Sequence, residues 1–178
     1  MIRNDCINGD LIMGKGLRLS LFIICLIVSH VGYANNVSCE LDNSALQSMS
    51  KSLVTFTRND GSKFEVVVKT ADDNVERAAG FQRVCAETIA AEPILFVFNS
   101  EFVPKFHMHN VVAPLDIAFI TKRGQIDSIQ KMSPYILIAL DKPLYGPEKP
   151  VIGALETYPG FYEENNIKLD ATVSWKPL

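Results

Sequence analysis

Apolar and polar residues alternate with a period of two over several stretches of the chain, which is the pattern of strands that bury one face. The alternation is clear in Phe64–Lys69, and Leu53–Thr57 predicts the strand before it. Between them stands Asp60-Gly61, a dipeptide that favours a tight hairpin turn. The pattern therefore predicts that this part of the chain begins as a β-hairpin.

Further strands are predicted along the rest of the chain. They are Ile94–Phe98, Leu115–Phe119, Gln125–Met132, Val151–Thr157 and Asp170–Trp175. Ile94–Phe98 is apolar throughout, which indicates burial on both faces. One helix is predicted from Thr70 to Gly80, and a short one follows Pro159. These elements predict an α+β, mostly β domain, built on a largely antiparallel curved sheet or partial barrel with two short helices.

The stretch Lys105–Thr121 concentrates polar chemistry between apolar flanks. Its polar and metal-ligating residues are His107, Met108, His109, Asn110 and Asp116. Pro114 fixes its own φ and keeps Ala113 out of the helical region, so the pattern predicts two short strands hinged there. After the hinge, alternation predicts a strand with one buried face. We expect a functional site to lie in this stretch.

The first 34 residues have the composition of a secretory signal peptide. Lys15 and Arg18 precede the apolar run Leu19–Val31. That run is shorter than the ~20 residues that a membrane-spanning helix needs. We therefore predict cleavage after Ala34, a periplasmic or secreted location and no membrane span afterwards. Retention as an anchor is the alternative, and Met13 is an alternative start.

The remainder is predicted to comprise an irregular lead over residues 35–52 and a single domain over residues 53–178. Residues 1–34 contain three basic and two acidic side chains, so the remainder carries 14 Lys and Arg against 18 Asp and Glu, a net charge of −4. No basic stripe or run is present in the sequence. This argues against nucleic acid as a partner.

Two cysteines, Cys39 and Cys85, follow the predicted cleavage point, whereas Cys6 and Cys25 precede it. An even pair in an oxidising compartment predicts one disulfide, between Cys39 and Cys85. The alternative is a pair of free thiols for redox or metal chemistry. The sequence offers neither a C-x-x-C spacing nor an adjacent base for that use.

Several spaced motifs follow one another between the first helix and the end of the chain. They are Glu76-Arg77-x-x-Gly80-Phe81-Gln82, Leu95-Phe96-Val97-Phe98, Met108-x-Asn110, Pro114-Leu115-Asp116-x-x-Phe119, Leu155-Glu156 and Gly160. Their order resembles the domain-of-unknown-function family 192 over roughly Phe64–Trp175. The resemblance implies a small, mostly β domain that is often exported and has no established activity. His107, His109 and Val111 depart from the residues usual in that family.

Six residues of these motifs are candidate binding residues: Glu76, Arg77, Met108, Asn110, Asp116 and Glu156. The first functional hypothesis is a non-enzymatic module that binds a small molecule or a periplasmic protein. It needs a concave mouth lined by Arg77, Asn110 and Asp116. The apolar segment Tyr135–Leu140 would serve as a lip or as a partner surface.

The second hypothesis is a hydrolase or lyase. Asp116 or Glu156 would act as its base, since paired carboxylates in unequal environments can divide acid and base work. Arg77 would hold an anionic group of the substrate. No Ser-His, Cys-His or phosphate-loop arrangement accompanies these residues in the sequence.

The third hypothesis is metal handling. On a strand, His107 and His109 would project to the same face. Two imidazoles at that spacing can chelate copper or zinc, and Met108 favours copper(I). A third ligand is not evident nearby in the sequence, so we expect no cofactor and keep copper or zinc as the alternative.

Overall fold

The computed structural model describes residues 38–41, 43–135, 140 and 142–178. The predicted signal peptide and residues 136–139 of the predicted apolar lip lie outside the described residues. The described strands are β1 (Ser50–Thr57), β2 (Lys63–Ala71), β3 (Ile94–Phe102), β4 (Leu115–Ile120), β5 (Ile126–Met132), β6 (Val151–Thr157) and β7 (Thr172–Pro177). The described helices are α1 (Ser44–Ser48), α2 (Asn74–Ala79), α3 (Ala86–Ala91) and α4 (Phe161–Glu164).

The seven described strands form one sheet in the order β5-β4-β6-β3-β2-β1-β7. Neighbours are antiparallel except β2 and β3, which run parallel because α2 and α3 form the crossover between them. At one corner the edge strand β7 contacts the turn that precedes the other edge strand, β5, where Val173 N donates to Gly124 O at 2.7 Å. The sheet is therefore strongly curved without closing into a barrel. The predicted fold class is confirmed, but the described residues form four short helices where two were predicted.

The predicted hairpin turn at Asp60-Gly61 is present, and a second hairpin turn joins β4 to β5. Gly61 (φ 78°) lies in the turn from β1 to β2, and Gly124 (φ 75°) lies in the turn from β4 to β5. A Cβ at Gly124 would lie 2.6 Å from Val173 O. Glycine is thus required there both by the positive φ and by the close approach of β7.

The sheet buries both of its faces. On the α3 face, Leu115, Ile117 and Phe119 of β4 pack in one apolar cluster with residues that include Ile89 of α3. On the α4 face, Ala118 and Ile120 of β4 pack in a second cluster with residues that include Phe161 and Tyr162 of α4. All six residues of β4 are buried, so the prediction of only one buried face for this strand was wrong. The central position of β4 between β5 and β6 explains the difference.

The predicted strand before Pro114 is not formed. Phe106 makes a single bridge to Tyr145, and the chain then turns through Asn110 at φ 57°. Asn110 O accepts a hydrogen bond from Arg83 N at 2.8 Å, which ties this turn to the loop after α2. His107 and His109 consequently do not share the face of a strand, and that prediction was wrong.

The start of the first predicted helix also differs. Thr70 belongs to β2, and Asp73 caps α2 by accepting hydrogen bonds from Val75 N and Glu76 N. The helix ends at Gly80, as predicted, with φ 47°. An aspartate cap three residues later than expected shortens α2 to six residues.

The predicted disulfide is formed between Cys39 and Cys85, whose Cα atoms are 4.9 Å apart. Beside it, Glu40 N donates to Arg83 O at 2.7 Å and Cys85 N donates to Glu40 O at 3.3 Å. These bonds fasten the lead to the start of α3. None of the helices in the described part of the chain combines the length and apolar character needed to cross a bilayer.

Candidate ligand-binding cleft

A cleft of about 310 Å³ opens on the α3 face of the sheet, between α2 and the loop that follows β3. Its lining residues are Arg77, Ala78, Ala79, Gly80, Phe81, Gln82, Phe96, Phe98, Phe102, Pro104, Lys105, Phe106, His107, Val111 and Glu156. Five of them are phenylalanines, and five others carry polar or charged side chains. A concave site that combines apolar rings with a limited set of polar groups is a common form of small-molecule site.

The phenylalanines are held by one another as well as by the sheet. Phe96 and Phe98 occupy alternate positions of β3, so they share a face. Phe102 follows a register irregularity in β3 and also lines the cleft. Phe98 and Phe102 meet edge to face at 4.8 Å between ring centroids, and Phe96 meets Phe106 in the same way at 5.0 Å. Contacts of this geometry are favourable and fix ring orientation. The apolar wall is therefore formed without a ligand.

Glu156 is the acidic group of this cleft. It lies on β6 opposite Ile94 of β3 and Ile117 of β4, and it is only 5% exposed. Its side chain makes no hydrogen bond or ion pair with any described residue. Burial alone raises the pKa of this carboxyl from 4.5 to about 8. At neutral pH Glu156 is therefore mainly an uncharged acid that can donate a hydrogen bond.

Arg77 is anchored at the edge of the cleft by protein acceptors. Its Nη1 donates to Val97 O at 2.9 Å and to Asp72 O, and its Nη2 donates to Asn74 Oδ1 at 2.8 Å. None of these acceptors is charged, and Arg77 forms no ion pair with a described acidic residue. Its positive charge is fixed in position and not neutralised by the protein.

Two further basic side chains, Lys105 and His107, are exposed at the mouth of the cleft. The Lys105 side chain packs against Gly146: a Cβ on Gly146 would lie 3.3 Å from Lys105 Nζ. With Arg77, these residues give the cleft a cationic rim around an apolar interior. The combination suits a ligand with an apolar body and an anionic group.

Asp116 lies on the other side of the sheet. It faces Thr157 across β4 and β6, whereas Glu156 faces Ile117, and neighbouring ladder positions point to opposite faces. Asp116 Oδ2 accepts a hydrogen bond from Gly160 N at 2.8 Å, and its Oδ1 is buried without a partner among the described residues. The structure does not bring Asp116 and Glu156 together, so the two cannot divide acid and base work at one site.

We expect Asp116→Ala to lower the free energy of unfolding by about 2 kcal/mol, because it leaves the Gly160 N–H without an acceptor. Asp116→Asn should cost less, since its amide oxygen can still accept that bond. Urea unfolding followed by circular dichroism measures both variants. Equal stability of Asp116→Ala and the unaltered protein would show that Asp116 does not hold the start of α4.

The other three predicted binding residues, Met108, Asn110 and Glu76, do not line the cleft. Met108 is 1% exposed within the apolar cluster of the α3 face. Asn110 lies beside the cleft and donates from Nδ2 to Gln82 Oε1 at 3.4 Å, but it does not line the cleft. Glu76 accepts a hydrogen bond from Asp72 N at 3.1 Å and steadies the first turn of α2. Of the six predicted binding residues, the cleft contains Arg77 and Glu156.

The two candidate metal ligands lie in a turn. The rings of His107 and His109 are 6.1 Å apart between centroids, and His107 Nδ1 accepts a hydrogen bond from His109 N at 3.3 Å. Both side chains are exposed. Among the described residues, no three His, Cys, Asp or Glu side chains are grouped as metal ligands.

Sequence reasoning missed most of the cleft. It did not identify three of the lining residues, Phe102, Lys105 and Phe106. It also did not identify Gly80 as part of the lining, where a Cβ would lie 3.5 Å from Cζ of Phe96. The signal that could have found them is the density of phenylalanine from Phe96 to Phe106, which exceeds what one strand face buries.

A larger groove of about 590 Å³ lies near the turn between β4 and β5. Its lining is mainly polar and charged. Lys122 Nζ lies 3.9 Å from Glu101 Oε2 in an exposed ion pair. Such a surface retains water and offers little apolar area to a ligand. The smaller aromatic cleft is the stronger candidate on these grounds.

Several of the sequence motifs that line this cleft are those of a known protein family. The family model of domain of unknown function 192, described as "Uncharacterized ACR", matches residues 55–175, which is more than half of the chain. The chain belongs to the DUF192 family. Arg77, the phenylalanines of β3 and Glu156 all lie within the matched region.

Two solved structures are similar to this DUF192 chain. One is a protein of Sinorhizobium meliloti 1021 described as a suggested transcription regulator, at 23% identity and a TM-score of 0.62, covering 72% of this chain and 95% of that one. The other is a protein of unknown function from Novosphingobium aromaticivorans DSM 12444, at 27% identity and a TM-score of 0.60, covering 69% and 84%. At 23% identity, the similarity to the Sinorhizobium meliloti protein is evidence for the fold alone. No curated protein matches the sequence significantly.

Proposed function

We propose that this DUF192 chain is an exported, non-enzymatic module that binds a small molecule in the cleft between α2 and β3. The observation that carries the proposal is the preformed aromatic interior with its cationic rim. A concave site of about 310 Å³ is at the lower end of the range for small-molecule sites. A cleft of this volume suits a small aromatic ligand rather than the surface of a partner protein.

Two observations support the non-enzymatic part of this proposal. Asp116 and Glu156, the two carboxylates considered as an acid and base pair, lie on opposite faces of the sheet. Glu156 itself is buried and makes no hydrogen bond to a described residue that could orient it as a base. Among the described residues, the cleft thus lacks the second carboxylate that an acid and base pair with Glu156 would need.

Export is supported by the sequence and by one covalent bond. The segment before Ala34 has the basic flank and apolar run of a secretory signal. The Cys39–Cys85 disulfide is of the kind that persists in oxidising compartments. We therefore place the binding activity in the periplasm or outside the cell.

We expect Ala78→Trp to abolish binding in the cleft. Ala78 is exposed on α2 and lines the cleft, so a large ring there fills the mouth with little effect on the core. The neutral fluorophore N-phenyl-1-naphthylamine is a suitable probe, because its emission rises when it enters an apolar site. We predict at least a tenfold weaker affinity for the variant.

The matched control is Val75→Trp. Val75 is 75% exposed on the same helix and does not line the cleft, so it should leave probe binding unchanged. If both tryptophan variants bound the probe as the unaltered protein does, the cleft would not be the binding site.

A further inference from the structure

We infer that the ligand of this cleft is a small apolar carboxylate, with its hydrocarbon body among the five phenylalanines and its anionic group at Arg77 and Lys105. This inference rests on the proposed function and adds the chemical class of the ligand. Three features of the cleft support it: the donors that Arg77 leaves open, the imbalance of charge in the lining, and the position of Glu156.

The hydrogen bonds of Arg77 leave a pair of donors for a ligand. A guanidinium has five N–H groups, of which the protein takes both on Nη1 and one on Nη2. The Nε–H and one Nη2–H have no acceptor among the described residues. Two adjacent N–H groups of this kind match the two oxygens of a carboxylate. Because three bonds already fix the guanidinium, little conformational entropy is lost when a ligand binds.

The charges of the lining favour an anion. Arg77 and Lys105 are cationic, and among the described residues Glu156 is the only acidic side chain in the lining. A cationic ligand would meet these charges at the mouth, with no ionised acid beside them to compensate. An anionic group gains attraction there, while its apolar body displaces water from the rings.

Glu156 faces the cleft from the sheet and helps to discriminate between ligands. On the sheet it lies opposite the apolar Ile94 and Ile117, and the titratable group that its charge affects is Tyr162 of α4. Arg77, Lys105 and His107 line the same cleft. As an uncharged acid it adds no negative charge to oppose an anion held at Arg77 and Lys105. Once ionised, it would weaken the binding of that anion by charge repulsion.

Burial supports the uncharged form, because it raises the pKa of Glu156 to about 8. Binding of a carboxylate should therefore weaken as the pH rises past 8. Glu156→Gln keeps a donor and cannot ionise, so it should bind with an affinity that no longer falls over this range.

The test uses three ligands with one skeleton: 1-naphthoate, 1-naphthamide and 1-naphthylmethylamine, titrated by calorimetry at pH 6.5. We expect 1-naphthoate to bind at least tenfold more tightly than the amide and the amine. Lys105→Gln should weaken 1-naphthoate about fivefold and leave the amide unchanged. Lys63→Gln removes the same charge from an exposed position outside the cleft and should change neither.

Arg77→Lys is a second variant that keeps the charge but loses the paired donors, and it should weaken 1-naphthoate more than the amide. Equal or tighter binding of the amide or the amine would overturn the inference about ligand class. Should N-phenyl-1-naphthylamine still bind, the proposed function would stand. Failure of all three ligands and of that probe to bind would instead reject the cleft as a binding site.

Discussion

Glu156→Gln is expected to stabilise the protein by roughly 4 to 5 kcal/mol at pH 8 to 9. Burial raises the pKa of Glu156 from 4.5 to about 8, so the folded protein holds a proton that the unfolded chain releases. Between these pH values the unfolded chain binds fewer protons, and the free energy of unfolding falls by about 1.4 kcal/mol per pH unit. The contribution is fully present below pH 4.5 and is lost as the pH rises through 8.

Glutamine is close in shape to the uncharged acid and does not titrate, so the variant should lack this loss. At pH 4.5 the two proteins should have similar stability. Urea unfolding from pH 4.5 to 9 measures the difference, with Glu148→Gln as the control at an exposed glutamate. Parallel pH profiles for Glu156→Gln and the unaltered protein would mean that Glu156 is ionised in the fold.

The double variant Cys39→Ser/Cys85→Ser is expected to lose about 4 kcal/mol of stability. The bond joins residues 46 apart, and a loop of that length restricts the unfolded chain by about this amount in the chain-entropy model. It also fastens the lead to α3, close to the segment after α2 that forms one wall of the cleft. Probe binding should therefore weaken along with stability.

Guanidinium unfolding of the unaltered protein with and without reductant provides the same comparison without a substitution. The two routes should agree within about 1 kcal/mol, since mutant comparisons carry errors of a few tenths. A reduced protein that unfolds at the same denaturant concentration as the oxidised one would contradict the prediction.

The sequence predicted the sheet well because its signals are local. The alternation in Phe64–Lys69 and the turn at Asp60-Gly61 depend on a few neighbouring positions, and both are present in the structure as expected. Gly80 ends α2 for the same kind of reason. Local patterns of this type do not depend on which strands pair.

The candidate site depends on pairing between distant strands, which the sequence does not specify. Asp116 and Glu156 are both buried acids after apolar residues, and only the register of β4 on β6 places them on opposite faces. The predicted strand through His107 and His109 failed because Asn110 adopts a left-handed turn that is held by Arg83, 27 positions earlier. Arg77 and Glu156 were predicted as binding residues, but their position in one cleft follows from the curved sheet.

The most direct test of the account is to map the bound ligand by NMR. Titration of ¹⁵N-labelled protein with 1-naphthoate should shift the amide signals of Gly80, Phe98 and His107 in a saturable way. The amide signals of Gly124 and Lys149 should not shift, because both residues lie outside the cleft, in grooves near the turn from β4 to β5. Saturable shifts at Gly124 and Lys149, with Gly80, Phe98 and His107 unmoved, would contradict it.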